Sequence, residues 1–229
     1  MEYKKVKIQL FDKNLMFGLE SFYNALPLEN SIEKTYKAIL LPFTMRQFLL
    51  YSRGGFTSGN FKTLRDAGRL DIVAHCLTSS FFLSHALRRD VIFHIILTGP
   101  PNPPKYIRVD GSKIYDMRCD EVTMGEILKK VLNGGTHAGF EIFNKSLQEV
   151  IKELAEENDI YILEEKGEKI NKIKFRENSV FIIGDQVGLP KKDEGFILRY
   201  GKKISLGKKV YLAADCITII NYELDNNIN

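Results

Sequence analysis

An α/β fold with a mainly parallel sheet is predicted by three features of this 229-residue chain. Short apolar runs alternate with stretches of helical periodicity. Two of those runs, Val91–Leu97 (VIFHIIL) and Val180–Ile183 (VFII), show no polar alternation, as in strands covered on both faces. The runs at Val180–Ile183 and Lys203–Leu206 each open onto a glycine loop, at Gly184 and Gly207. Open α/β sheets bind ligands beyond the carboxyl ends of their strands, and glycine lets backbone approach a bound molecule closely.

Taken in order, residues 1–44 read as an N-terminal extension. A strand at Val6–Leu10 and a weak helical pattern at Ser31–Leu41 are interrupted by Leu26-Pro27 and Leu41-Pro42. Met45 opens a cleaner strand, MRQFLLYSR, so the compact domain is expected over residues 45–229, with the extension dispensable. From Tyr51 to Gly68 the chain carries Gly54, Gly55 and Gly59 with Arg53, Lys62 and Arg65, a basic loop. Leu70, Val73, Ala74, Leu77, Phe81, Ser84 and Leu87 recur at helical spacing and predict an amphipathic helix from Asp71 to Leu87. Val91–Leu97 is then a central strand, and the proline-rich Gly99–Pro104 a rigid connector.

Lys105–Val109 is a short strand closed by the Asp110-Gly111 turn signal. Glu121–Leu132 is a helix stopped by Asn133-Gly134-Gly135, and Gly139–Phe143 is a strand. Ser146–Glu157 is a helix with Leu147, Val150, Ile151 and Leu154 on one face. Ile160–Leu163 is a strand running into a Glu164–Gly167 loop. Val180–Ile183, a short helix at Asp193–Leu198, the strand Lys203–Leu206 and a long apolar segment, Val210–Leu224, complete the chain.

Composition narrows the function. Hydrophobic residues make up 44%, enough for a sizeable core. No apolar run approaches the roughly 18–20 residues that span a bilayer, and the N-terminus does not read as a signal peptide. Three cysteines without a CxxC fit free thiols in a reducing cytoplasm. A net charge of +4 allows a nucleic-acid partner without demanding one.

Motifs exclude more than they assign. The chain has no GxxxxGK[ST] and no GxGxxG opening a helix, so phosphate-loop and dinucleotide chemistry are set aside. A glycine pocket without a phosphate motif suits a ligand without phosphates, such as S-adenosylmethionine; plain turns are the ordinary alternative. His75, His85, His94 and His137 make no metal-ligand pattern, and His94 reads as a core histidine. Asp71, at the start of the first long helix, is either an N-cap or a carboxylate at the mouth of the domain beside the guanidinium of Arg69. Arg88 and Arg89 close the same helix; with Lys62 and Arg65 they could track an RNA backbone.

The segments AGRLDIV (67–73), SSFFLSHALRRDVIFHIIL (79–97), PNPP (101–104), VFIIGDQVG (180–188) and ISLGKKVYLAADCITIINYELD (204–225) occur in that order. Together they resemble the TrmY family of tRNA pseudouridine N1-methyltransferases, in the SPOUT superfamily, from about Met45 to Asp225. The resemblance implies a Rossmann-like α/β fold with a C-terminal trefoil knot over about 160–225, and a homodimer formed through the knot. It also implies S-adenosylmethionine as methyl donor, with no metal, held by Leu163, Gly184, Leu206, Gly207, Val210, Leu212 and Cys216. The implied reaction methylates N1 of pseudouridine 54 in the tRNA T-loop. Asp71 is the expected base, Arg69 the residue that positions the nucleotide, and Lys62, Arg65, Arg88 and Arg89 the RNA contacts. The competing readings are a SPOUT enzyme for another uridine, pseudouridine or rRNA site, and a non-catalytic RNA-binding or assembly factor.

Overall fold

The structure, a computed structural model, describes residues 45–176 and 178–226; the extension read over 1–44 lies outside the described residues. Among the described residues seven strands form one sheet: β1 (Arg46–Ser52), β2 (Val91–Leu97), β3 (Lys105–Asp110), β4 (Phe140–Phe143), β5 (Asp159–Lys169), β6 (Ser179–Gly184) and β7 (Gly201–Ser205). Their spatial order is β4-β3-β2-β1-β6-β5-β7. β2, β1, β6, β5 and β7 are mutually parallel. β3 and β4 extend the sheet by antiparallel pairing. Five α-helices are found among the described residues: α1 (Leu70–Phe81), α2 (Glu121–Leu132), α3 (Leu147–Leu154), α4 (Lys191–Ile197) and α5 (Ala213–Asn226).

β1 holds the centre, and all seven of its residues are buried. Its side chains alternate between two apolar layers. Phe48 and Leu50 join the layer built with α1, α2 and α5, while Leu49 and Tyr51 join the layer built with α3 and α4. β6 repeats the pattern with Phe181 and Ile183 against Val180 and Ile182. This two-sided burial is why Val91–Leu97 of β2 and Val180–Ile183 of β6 read as apolar runs without polar alternation. The Asp120 carboxylate caps α2 by accepting from Thr123 N, and Ser146 with Glu149 forms a capping box on α3.

Three predicted boundaries are corrected. α1 ends at Phe81, not Leu87. Past it, Leu83 N donates to Ala86 O and Arg88 N to Phe81 O, so Ser84-His85 makes a tight turn and Phe82 bridges Leu87; Ser84 and Leu87 matched the helical period by coincidence. β5 continues through the expected Glu164–Gly167 loop by shifting register against β7 between Leu163 and Glu168. α5 begins at Ala213, because Val210, Tyr211 and Leu212 form an extended approach to it.

α5 lies against α1. Asn221 Nδ2 donates to Ser79 O, and its Oδ1 accepts from Arg46 Nη1. Asp225 accepts from Arg46 and from Arg88, sealing the end of α5 to the start of β1. On the opposite layer, His94 is buried, with Nδ1 2.7 Å from Tyr106 Oη and Nε2 2.9 Å from Gln47 Oε1. It is the satisfied core histidine the sequence predicts.

Candidate active site

The carboxyl ends of the parallel strands converge on two glycine-built loops. The first leaves β1. Gly54, Gly68 and Gly99 stack backbone on backbone: a Cβ at Gly68 would sit 1.7 Å from the Gly54 carbonyl oxygen, and one at Gly99 would sit 2.2 Å from it. Phe56 N donates to Ala67 O and Gly99 N to Gly55 O, closing the loop onto itself and onto the end of β2. The chain then enters α1 through two successive left-handed residues, Gly68 at φ +66° and Arg69 at φ +70°.

Arg69 is therefore the N-cap of α1, without a side-chain capping bond, and Asp71 stands in the first turn. The two side chains form a forked pair, with Arg69 Nε 3.0 Å from Asp71 Oδ1 and Arg69 Nη2 3.0 Å from Oδ2. Asp71 is thus not the N-cap that the sequence left open. Burial pushes its carboxyl up, but the hydrogen bonds and charge of Arg69 outweigh this and hold it below the usual carboxylate range. Asp71 is ionised at neutral pH, and Arg69 stays half-exposed at the mouth.

The second loop leaves β6. The Asp185 carboxylate is buried; Oδ2 accepts from Arg53 N at 2.7 Å and Oδ1 from Val187 N at 2.9 Å. Asp185 N donates to Tyr51 O. Asp185 therefore pins the β6 loop to the β1 loop, close enough to Arg69 to favour its charged form. The sequence reading missed this role. Its only signal is an aspartate directly after the strand-ending Gly184, a residue type that readily accepts from backbone N–H groups in turns.

The other expected ligand-binding residues lie on or after β5, β6 and β7. Leu163 pairs with Ile204, one residue before the end of β7. Leu163, Gly184, Leu206 and Gly207 are partly buried, whereas Val210 and Leu212 are 76% and 74% exposed. Gly207 sits at φ +134° with open space where a Cβ would be. Half-exposed apolar side chains around glycine-opened loops fit a ligand with a flat heteroaromatic ring. Cys216 faces the interior, packed on the α1 layer and near enough to Cys76 for the two thiols to influence one another. Burial, with the Asp215 charge, pushes its thiol up to about 11, so it is inert at neutral pH. No group of His, Cys, Asp or Glu among the described residues could hold a metal ion.

The structure divides the four expected RNA contacts. Lys62 and Arg65 are exposed on the β1–α1 loop that leads to Arg69. Arg88 and Arg89 lie at the other end of the sheet. Arg88 is 12% exposed and engaged with Asp225, and Arg89 donates to the Gly111 and Ile114 carbonyls.

A mainly parallel sheet with glycine loops beyond its carboxyl ends, beside an Arg–Asp pair at the mouth, defines the class: an α/β protein built to hold a small ligand past the ends of its strands. Comparison with known proteins is more specific. A family model described as "Putative SAM-dependent RNA methyltransferase" matches residues 45–228. The tRNA (pseudouridine(54)-N(1))-methyltransferase of Thermococcus kodakarensis is 34% identical over 79% of this chain and 99% of its own length. That of Methanocella arvoryzae is 36% identical over the same shares. The chain belongs to this family of RNA methyltransferases, the TrmY family. Its fold is also similar to that of Archaeoglobus fulgidus Nep1 bound to S-adenosylhomocysteine, with a TM-score of 0.50 at 18% identity over 70% of this chain and 71% of that one. No described helix is long and apolar enough to cross a membrane.

Proposed function

We propose that this protein methylates N1 of pseudouridine 54 in the T-loop of tRNA, the reaction named for its relatives. The observation that carries the reading to particular atoms is the forked Arg69–Asp71 pair beside the β1 and β6 loops. S-adenosylmethionine, when bound, supplies an electrophilic methyl group on a sulfonium. Leu163, Leu206, Val210 and Leu212 would flank its adenine, and the backbone at Gly184 and Gly207 would reach its polar edges. Cys216 contributes through packing beneath that site rather than as a nucleophile.

Asp71 accepts a hydrogen bond from the N1–H of the target base and orients that nitrogen. As the nitrogen becomes cationic, its proton leaves along the same bond and passes to solvent, because the low basicity of Asp71 does not retain it. Arg69 keeps Asp71 ionised, and its Nη1, outside the forked pair, is available to a phosphate of the flipped nucleotide. Lys62 and Arg65 hold the neighbouring backbone; Arg88 and Arg89 act in the fold.

The same reading makes the protein a cytoplasmic homodimer. Val210, Tyr211, Leu212 and Tyr222 expose apolar surface on and before α5, which suits a partner subunit over the proposed knot. Leu212→Asp is expected to lower the mass seen by sedimentation equilibrium to that of a monomer; an unchanged mass removes this face from the interface.

The deciding experiment uses labelled S-adenosylmethionine and two T-arm RNAs, one with pseudouridine and one with uridine at the target position, with nucleosides identified by mass spectrometry. Label only as N1-methylpseudouridine is the expected result. Label on uridine, or on neither RNA while S-adenosylmethionine still binds, moves the substrate elsewhere.

A further inference from the structure

At the outer edge of the sheet a groove of about 600 Å³ runs between β5–β7 and the segment returning from β5 to β6. Lys172, Lys174 and Arg176 line it from the returning segment, Arg199 from the turn between α4 and β7, and Lys202 from β7 itself. Among the described residues two carboxylates line it, and both are engaged: Arg176 Nε is 3.6 Å from Asp159, and Lys202 Nζ is 2.9 Å from Glu168. Lys172, Lys174 and Arg199 are exposed and set the sign of the groove. The Arg199 guanidinium rests over the Phe196 ring at 4.8 Å, which holds it at the rim. The exposed Tyr200 gives the groove aromatic surface, while Tyr161 lies buried beneath Lys202.

We propose that this groove binds the phosphodiester backbone of the substrate RNA outside the T arm. The inference rests on the reading of the protein as a tRNA methyltransferase. A channel with excess guanidinium and ammonium groups and aromatic side chains fits polyanionic backbone, and an RNA enzyme brings that ligand to its surface. Arg69 and Asp71 lie beyond the carboxyl end of β1, whereas Tyr200–Lys202 lie at the amino end of β7, three strands away. Strand spacing and rise put the two roughly 20 Å apart. An RNA with its target base at Asp71 reaches the groove only with a part several nucleotides away.

The test measures filter binding of an unmodified full-length tRNA transcript and of an isolated T-arm hairpin across a salt series. The wild type is compared with a Lys172→Glu, Lys174→Glu, Arg199→Glu triple variant, and with the milder Gln triple checked by thermal melting. The expected result is weaker binding of full-length tRNA, by about 10-fold or more. Its log–log salt slope should be shallower by about 2–3, at about 0.9 or less per lost phosphate contact. T-arm binding and T-arm methylation should stay unchanged. Unchanged binding of both RNAs overturns the groove as an RNA surface, and equal loss on both overturns its position outside the T arm. If neither RNA is methylated by the wild type, the proposed function fails, while the binding difference still judges the groove.

Discussion

The Arg69–Asp71 pair sets how the carboxylate behaves as pH changes. Because Arg69 holds the folded carboxyl below its ordinary value, Asp71 stays ionised until well into acid. Wild-type activity should then have no acid limb from this group near neutrality. Arg69→Gln removes the hydrogen bonds and the charge and leaves burial to raise the carboxyl, so the acid limb of the pH–rate profile should move to higher pH. Asp71→Asn should lower kcat by about 10²–10⁴ while S-adenosylmethionine and RNA still bind; an unchanged kcat would reduce the pair to a helix-end ion pair. His94 has the opposite task, since burial, helped by the Arg108 charge, lowers its pKa to about 3. The unfolded chain therefore binds the extra proton from about pH 6.5 downward and the folded chain only near pH 3, so stability falls as pH drops through that window. The lowered carboxyls of Asp71, Asp110 and Asp225 lose their contributions only further down, below about 3.8. Urea midpoints at pH 7 and pH 5 should separate more in the wild type than in His94→Gln, even if that variant starts lower.

The element that positions the chemistry is the entry into α1, where two left-handed residues rest on the Gly54 backbone. Gly68→Ala would place a methyl group against the Gly54 carbonyl and adopt a costly φ, so a loss of about 2 kcal/mol or more is expected in chemical denaturation. A variant as stable as the wild type would mean that the loop shifts freely. The sequence announces some elements and hides others for physical reasons. α2 and α3 are legible because Asp120 and the Ser146–Glu149 box are local signals that act within one turn. β2 and β6 are legible because burial on both faces leaves no polar alternation. The end of α1 is not, because the chain turns back at Ser84-His85 to return Arg88 to Phe81 O, a tertiary choice. At the site, the glycine loops and the Arg69-Leu70-Asp71 spacing are visible in the residues, whereas Leu163, Leu206, Val210 and Leu212 are singled out only by the family resemblance. The left-handed Arg69, the loop-joining Asp185 and the burial of Arg88 are not, since each depends on residues more than a hundred positions away or on backbone packing.

At the scale of the whole molecule, the described residues form one sheet with an apolar layer on each side, closed by α5. A chain shortened to residues 45–229 is therefore expected to unfold cooperatively and to bind S-adenosylmethionine as the full chain does; failure to fold would make the extension part of the domain. The closure itself has a consequence for how the protein is made. Arg46 is hydrogen-bonded to Asn221, 175 positions later, and to Asp225, 179 positions later. β1 also takes one of its two neighbours, β6, from beyond Ser179. At ordinary elongation rates of about 5–20 residues per second, the most buried strand waits roughly 10–35 s on the ribosome for the residues that seal it. During that time its apolar side chains need other cover, so the nascent chain is a natural client for chaperones. A stop codon before Asn221, although it would spare every residue of the Arg69–Asp71 site, would leave the centre of the sheet open at its amino end.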